Sequence, residues 1–178
     1  MRLSAETIDR NQAIQGYSIL QKSCHWTIAF FCVLEFPTAV GIQRSHLGHV
    51  FGIKPTALDQ FRAIAHQWSG WLILALAVVL LTSHLLQGAP SLPSGMSFWQ
   101  RLTAYLVHGA IYLGIITLVA TGAGATYLDG RLTFLHIILA KAGVGLIAIH
   151  VAAALWHQFI RRDRLIERLL PPRKQKLW

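Results

Sequence analysis

Four long apolar runs separated by short polar stretches organise the chain, at residues 18–42, 58–86, 98–122 and 133–160. Each exceeds the roughly 20 residues a helix needs to cross a bilayer. Start signals precede them. Ser18-x-x-Gln21 and Ser97-x-x-Gln100 have the capping-box pattern, and Thr56 and Asp59 suit the start of the second run. Stop signals follow. Pro37 is expected to kink or finish the first helix, which leaves residues 43–57 as an outer loop carrying His46 and His49. Gln87-Gly88 closes the second helix, and Pro90 and Pro93 prevent its continuation. Gly122, Gly124 and the Asp129-Gly130 turn close the third, and Pro171-Pro172 bars extension of the fourth. The pattern predicts an all-α fold: one transmembrane four-helix bundle over residues 1–178, with a loose polar start and a basic tail over 161–178.

Composition agrees. The chain is 54% hydrophobic and 13% charged, about half the charge of an ordinary soluble domain. The net charge of +9 is distributed as a topology signal. Arg2, Arg10, Lys22 and Arg101 lie on one side with Arg161, Arg162, Arg164, Arg168, Arg173, Lys174 and Lys176. The opposite loops hold Arg44, Lys54, Arg62 and Arg131. Positive-inside bias puts both termini in the cytoplasm. No soluble basic domain exists to present such charge to nucleic acid. Residues 1–20 lack the apolar core of a cleavable signal peptide, so the first helix is expected to stay. Cys24 and Cys32 are about 12 Å apart along one helix; they read as packing thiols, not a bridge.

The histidines carry the chemistry. Ionisable side chains within a membrane imply function by default. His136 and His150 share the fourth run, about 21 Å apart along its axis and only about 40° short of perfect alignment. Depth sorts the others. His66 lies near the outer face with His136. His25 and His108 lie near the inner face with His150, and His84 and His157 sit at the inner boundary. Two bis-histidine sites fit this arrangement, His66 with His136 outside and His25 with His150 inside. Bis-imidazole ligation in a helix bundle suits b-type haem, which carries electrons and leaves iron no open position. Gly143 and Ala140 keep the ligand face of the fourth helix small. His108 could replace His25 or His150 as a ligand, or meet a quinone headgroup. His46, His49 and His84 read as structural or solvated, and a zinc site at His46 and His49 lacks further ligands. Lys141 either snorkels to the outer interface or pairs with a haem propionate.

These residues resemble the bacterial cytochrome b561 family, small dihaem quinone-linked cytochromes of the inner membrane. The resemblance covers nearly all of residues 17–173. It rests on Tyr17-Ser18 with Cys24-His25-Trp26, on His66 with Gly70, on the HGAIY stretch from His108 to Tyr112, and on His136 and His150 followed by HVAAALWHQF. It implies two haem b groups ligated by His25, His66, His136 and His150, with ubiquinone beside the inner haem at His108 and His157. Two features depart from the pattern: His84 stands where the cytoplasmic half of the second helix is expected to carry arginine, and the loop between the third and fourth helices is short.

The leading expectation is a quinone-linked oxidoreductase that carries electrons across the membrane between an outer donor and ubiquinone. Some stand-alone members look like superoxide:ubiquinone oxidoreductases, and a positive outer mouth at Arg44, Lys54, Arg62, Arg131 and Lys141 would concentrate such an anion. One rival is a cytochrome b anchor subunit for a partner dehydrogenase or hydrogenase, a redox partner protein. The other is a haem-free transporter or metal-handling protein using the same histidines.

Overall fold

The computed structural model describes residues 16–52, 54–88, 90–93 and 95–170. Expectations for residues 1–15 and for the tail beyond 170, including the Pro171-Pro172 stop, lie outside the described residues. Four helices make the fold: α1 (Ile19–Phe51), α2 (Ala57–Gln87), α3 (Phe98–Tyr127) and α4 (Leu132–Leu155), the last continued by a π turn (Trp156–Ile160). All four spans are long and apolar enough to cross a membrane.

Three of the helices start as their sequences direct. The Ser18 hydroxyl accepts from Gln21 N–H at 3.2 Å, and the Gln21 side chain accepts from Ser18 N–H at 3.0 Å. Thr56 with Asp59 and Ser97 with Gln100 close the same reciprocal box. Each cap is worth about 1 kcal/mol. The Gln21 amide also donates to Gly88 O at 3.0 Å, which ties the start of α1 to the end of α2.

Three boundaries differ from expectation. Pro37 does not finish the first helix. The chain continues through it to Phe51, so His46 and His49 lie on helical backbone and not in a loop. The Thr38 hydroxyl donates back to Leu34 O at 2.7 Å and Glu35 O at 3.1 Å; the helix tolerates the one backbone bond that proline omits, because ending in a bilayer would leave more backbone groups unpaired. The third helix runs past Gly122 and Gly124 to Tyr127. The connection to α4 is then a tight turn, in which Asp129 Oδ1 accepts from Arg131 N–H at 2.9 Å. Finally, the fourth span loses α geometry at Trp156, where Arg161 N–H bonds Trp156 O five residues back.

Packing is uneven. α1 lies close along α2 and α3 along α4, while α2 meets α3 more sparsely. Gly41 marks the tightest crossing: a Cβ there would stand 2.5 Å from Asp59 O and Arg62 Cβ. Ser69, Ile73, Ala77, Leu80 and Ser83 form the buried stripe of α2, spaced by three or four residues. Cys24 is buried and Cys32 half-buried, both as free thiols. Most large apolar side chains point outward, among them Phe30, Val33, Leu85, Leu113, Ile149 and Phe159. A solvent of lipid, not water, suits such a surface.

The segment after α4 folds back over the end of the bundle at which α1 begins. Arg161 Nη2 donates to Gly95 O at 3.0 Å, Arg168 Nη1 to Ser91 O at 2.6 Å, and Lys22 Nζ to Leu170 O at 2.9 Å. The basic residues 161–170 are thus partly tied to backbone carbonyls.

Candidate functional site

The two histidine pairs read from the sequence come together in space. His66 on α2 faces His136 on α4, ring centres 6.2 Å apart. His25 on α1 faces His150 on α4 at 6.3 Å. All four are half-buried. An iron ligated on both sides by imidazole sets ring centres about 6.4 Å apart, from two metal–nitrogen bonds of about 2 Å and about 1.2 Å to each ring centre. Both separations fit that span. The interplanar angles of 82° and 54° fit as well, because each ring plane contains the ligation axis whatever its rotation about it.

Open space lies beside the pair of His66 and His136. Gly70, one turn after His66, is half-buried, yet an added Cβ would meet nothing within 4 Å. Gly143, on the α4 face between the two histidines, would bring its Cβ no closer than 3.5 Å to Leu118. Among the described residues no three of His, Cys, Asp and Glu converge to hold a metal ion by themselves. The donor sets are pairs of imidazoles on facing helices, which is what a planar tetradentate macrocycle leaves to be supplied.

The rings of His66 and His136 are held by their Nδ1 atoms. His66 Nδ1 lies 2.5 Å from Glu35 Oε2 and 3.3 Å from Thr38 Oγ1. His136 Nδ1 lies 3.0 Å from Leu118 O and 3.2 Å from Thr121 Oγ1. A partner on one ring nitrogen fixes the tautomer and frees the other for a metal. Gly122 seats the His136 ring: a Cβ there would come within 3.1 Å of Cε1.

His108 stands apart from both pairs. Its ring is 5.0 Å from that of His150 and perpendicular to it, too near for an iron between them. Its Nδ1 is 2.6 Å from Ala104 O, one turn back, and the side chain is exposed. His157 sits on the π turn, with Nδ1 2.7 Å from Asp163 Oδ2; Arg161 Nε is 3.3 Å from the same oxygen. Arg162 and Arg164 adopt left-handed backbone there, φ 58° and 54°, a conformation side-chain-bearing residues seldom take. His84 is half-buried, 5.8 Å from the Tyr17 ring, and its Nε2 is buried without a hydrogen-bond partner. Lys141 is exposed. The side chains of His46 and His49 lie outside the described residues.

Glu35, Ser69, Thr121, Gly122 and Asp163 entered no site expectation. Glu35 had the clearest signal, an acid within an apolar run. The expected stop at Pro37 set it at the water boundary instead. Asp163 gave none, since only the back-fold after the π turn brings it to His157.

Residues 16–172 match the prokaryotic cytochrome b561 family. Among curated proteins, a cytochrome b562 of Cereibacter sphaeroides is 27% identical over 161 residues, covering 89% of this chain and 97% of that protein. A probable superoxide oxidase CybB of Yersinia pestis is 22% identical over 180 aligned positions, again covering 89% and 97%.

Proposed function

Since the chain belongs to the prokaryotic cytochrome b561 family and is a multi-pass b-type cytochrome of the bacterial inner membrane, we propose that it holds two haem b groups and carries electrons from an outer donor to ubiquinone. The observation that carries this reading is the pair of imidazole separations, 6.2 Å and 6.3 Å, one in each half of the bundle. His66 and His136 would hold the outer group, and His25 and His150 the inner one. Haem held by these residues would supply one-electron iron chemistry.

The chain's own residues do the rest. Apolar spans exclude water from the path between the pairs. Positive-inside bias supports cytoplasmic termini, which puts His25, His108, His150 and His157 on the cytoplasmic side. Ubiquinone reduction needs protons as well as electrons. His157, held through Nδ1 by Asp163, leaves Nε2 to take up a proton from the cytoplasm and, as imidazolium, donate it to a quinone carbonyl. His108, anchored through Nδ1 on Ala104 O, can do the same from α3.

The donor we propose is superoxide. One relative bears the name probable superoxide oxidase. Outer cations support the choice. Arg131 and Lys141 are exposed, and Arg44, 3.6 Å from Asp59, keeps a 60% exposed side chain. Stopped-flow mixing of superoxide with the oxidised protein and a ubiquinone analogue tests both ends. The expected result is fast haem reduction that slows with ionic strength, followed by reoxidation by the quinone. Haem that superoxide leaves oxidised at any ionic strength would refute the donor.

A further inference from the structure

The two histidine pairs differ in what lies behind them. In the outer pair, His66 is backed by an acid. Glu35 Oε2 is 2.5 Å from His66 Nδ1, and Glu35 Oε1 accepts from the Ser69 hydroxyl at 2.5 Å. α1 supplies the glutamate, while α2 supplies both the histidine and the serine three residues later. These are the two most closely packed helices. The Glu35 side chain is 22% exposed and that of His66 18%, so water screens the contact little. His136 has uncharged partners, the Leu118 carbonyl and the Thr121 hydroxyl. His25 and His150 have rings for neighbours: Trp26, His108 and each other. Among the described residues, no other histidine of the two pairs touches a carboxylate.

We propose that Glu35 is a positioning residue that makes the outer histidine pair the lower-potential site. The proposal rests on the two-haem reading above. A carboxylate on the far nitrogen of a ligating histidine raises the basicity of the ring and fixes its orientation. A more basic ligand, with negative charge behind it, stabilises the oxidised metal over the reduced one. The inner site has no such contribution. An electron delivered outside then moves downhill to the inner pair and on to the acceptor, so the asymmetry of Glu35 gives the path a direction. Thr38 Oγ1 at 3.3 Å is a second, weaker acceptor for the same N–H.

The test is a potentiometric titration of purified wild type, E35Q and E35D with the haem content of each. Glutamine keeps the size and an acceptor oxygen but removes the acid. Aspartate keeps the acid and withdraws it by one methylene. The wild type should hold two haems with separate potentials. In E35Q the lower wave should move to more positive potential while the upper stays. Loss of such an outer contact is worth about 10–100-fold, or about 60–120 mV for one electron. The E35D wave should fall between. Repeating the pair of titrations in a His25→Ala background, which keeps only the outer group, assigns the wave. If E35Q sheds its outer haem, E35D decides, with a positive shift required. Two haems whose potentials are unmoved in E35Q, or in E35D where E35Q sheds haem, overturn the proposal alone. A wild-type chain without two haems removes the reading beneath it.

Discussion

Gly122 offers a substitution whose effects on binding and on stability have opposite signs. A Cβ at this position would sit 3.1 Å from His136 Cε1 and 3.3 Å from Nδ1. Ordinary contact is about 3.5–4.0 Å, so in Gly122→Ala the ring must retreat by roughly 0.5 Å. It is not free to do so, because Leu118 O at 3.0 Å and Thr121 Oγ1 at 3.2 Å already hold Nδ1. A metal–nitrogen bond tolerates only about 0.2 Å. Disturbing the shell around a ligating histidine costs about 10–100-fold in affinity, or about 1.4–2.7 kcal/mol. The same change should strengthen the helix itself by up to about 1 kcal/mol, since glycine is a poor helix former. Haem per chain, measured as the pyridine haemochromogen during stepwise haem addition, reads the first effect. A circular-dichroism melt of the haem-free chain reads the second. We expect the outer haem to bind 10–100-fold more weakly, the inner one unchanged, and a melt no lower than wild type. Two haems bound as tightly as in the wild type would show that the His136 ring has room to move. A melt that falls along with haem loss would make Gly122 a packing residue only.

Ligand assignment is checked by single variants: His66→Ala should lose the outer haem and keep the inner, His25→Ala the reverse, and His108→Ala should keep both. Loss of a haem from His108→Ala but not from His25→Ala would change the inner pair. Asp163→Asn should leave haem content intact and slow ubiquinone reduction about tenfold or more, read by stopped-flow reoxidation of the reduced protein; an unchanged rate would remove His157 from the proton route. Neutralising Lys54 and Arg131 together should lower the superoxide reaction rate several-fold at low salt and little at high salt, and equal effects at both would speak against steering. Burial pushes the Tyr17 hydroxyl above its ordinary 10, against a smaller opposing pull from Arg168. The folded state thus keeps that proton longer than the unfolded chain, and the resulting stability is complete below pH about 10 and declines above it. Tyr17→Phe should flatten the alkaline decline in a detergent melt series; an unaltered decline would assign it to other groups.

The helix starts were legible because a capping box is local: Ser18, Thr56 and Ser97 each need only a partner three residues on. The histidine pairs were legible because depth follows from residue count along a straight helix, and α4 carries His136 and His150 at a near-integral number of turns. Stops proved harder. Pro37 and Gly122 carry the chemistry of helix breakers, yet a bilayer offers the chain no water in which to leave a helix, so α1 runs on through the proline and Gly122 becomes the seat of a ring. The same proline makes Glu35 read as a boundary charge, since a helix ending beside it would set the acid in water. His108 was ambiguous on depth alone. A 5.0 Å distance to the His150 ring sets it apart from the two facing pairs, and no sequence spacing carries that number.

Absorption and low-temperature paramagnetic resonance spectra of the purified chain, with haem quantified per polypeptide, decide whether the histidine pairs hold haem. Two b-type haems are expected, both six-coordinate and low-spin, as imidazole on both faces requires. A colourless protein, a single haem, or a high-spin centre with an open position would contradict that reading.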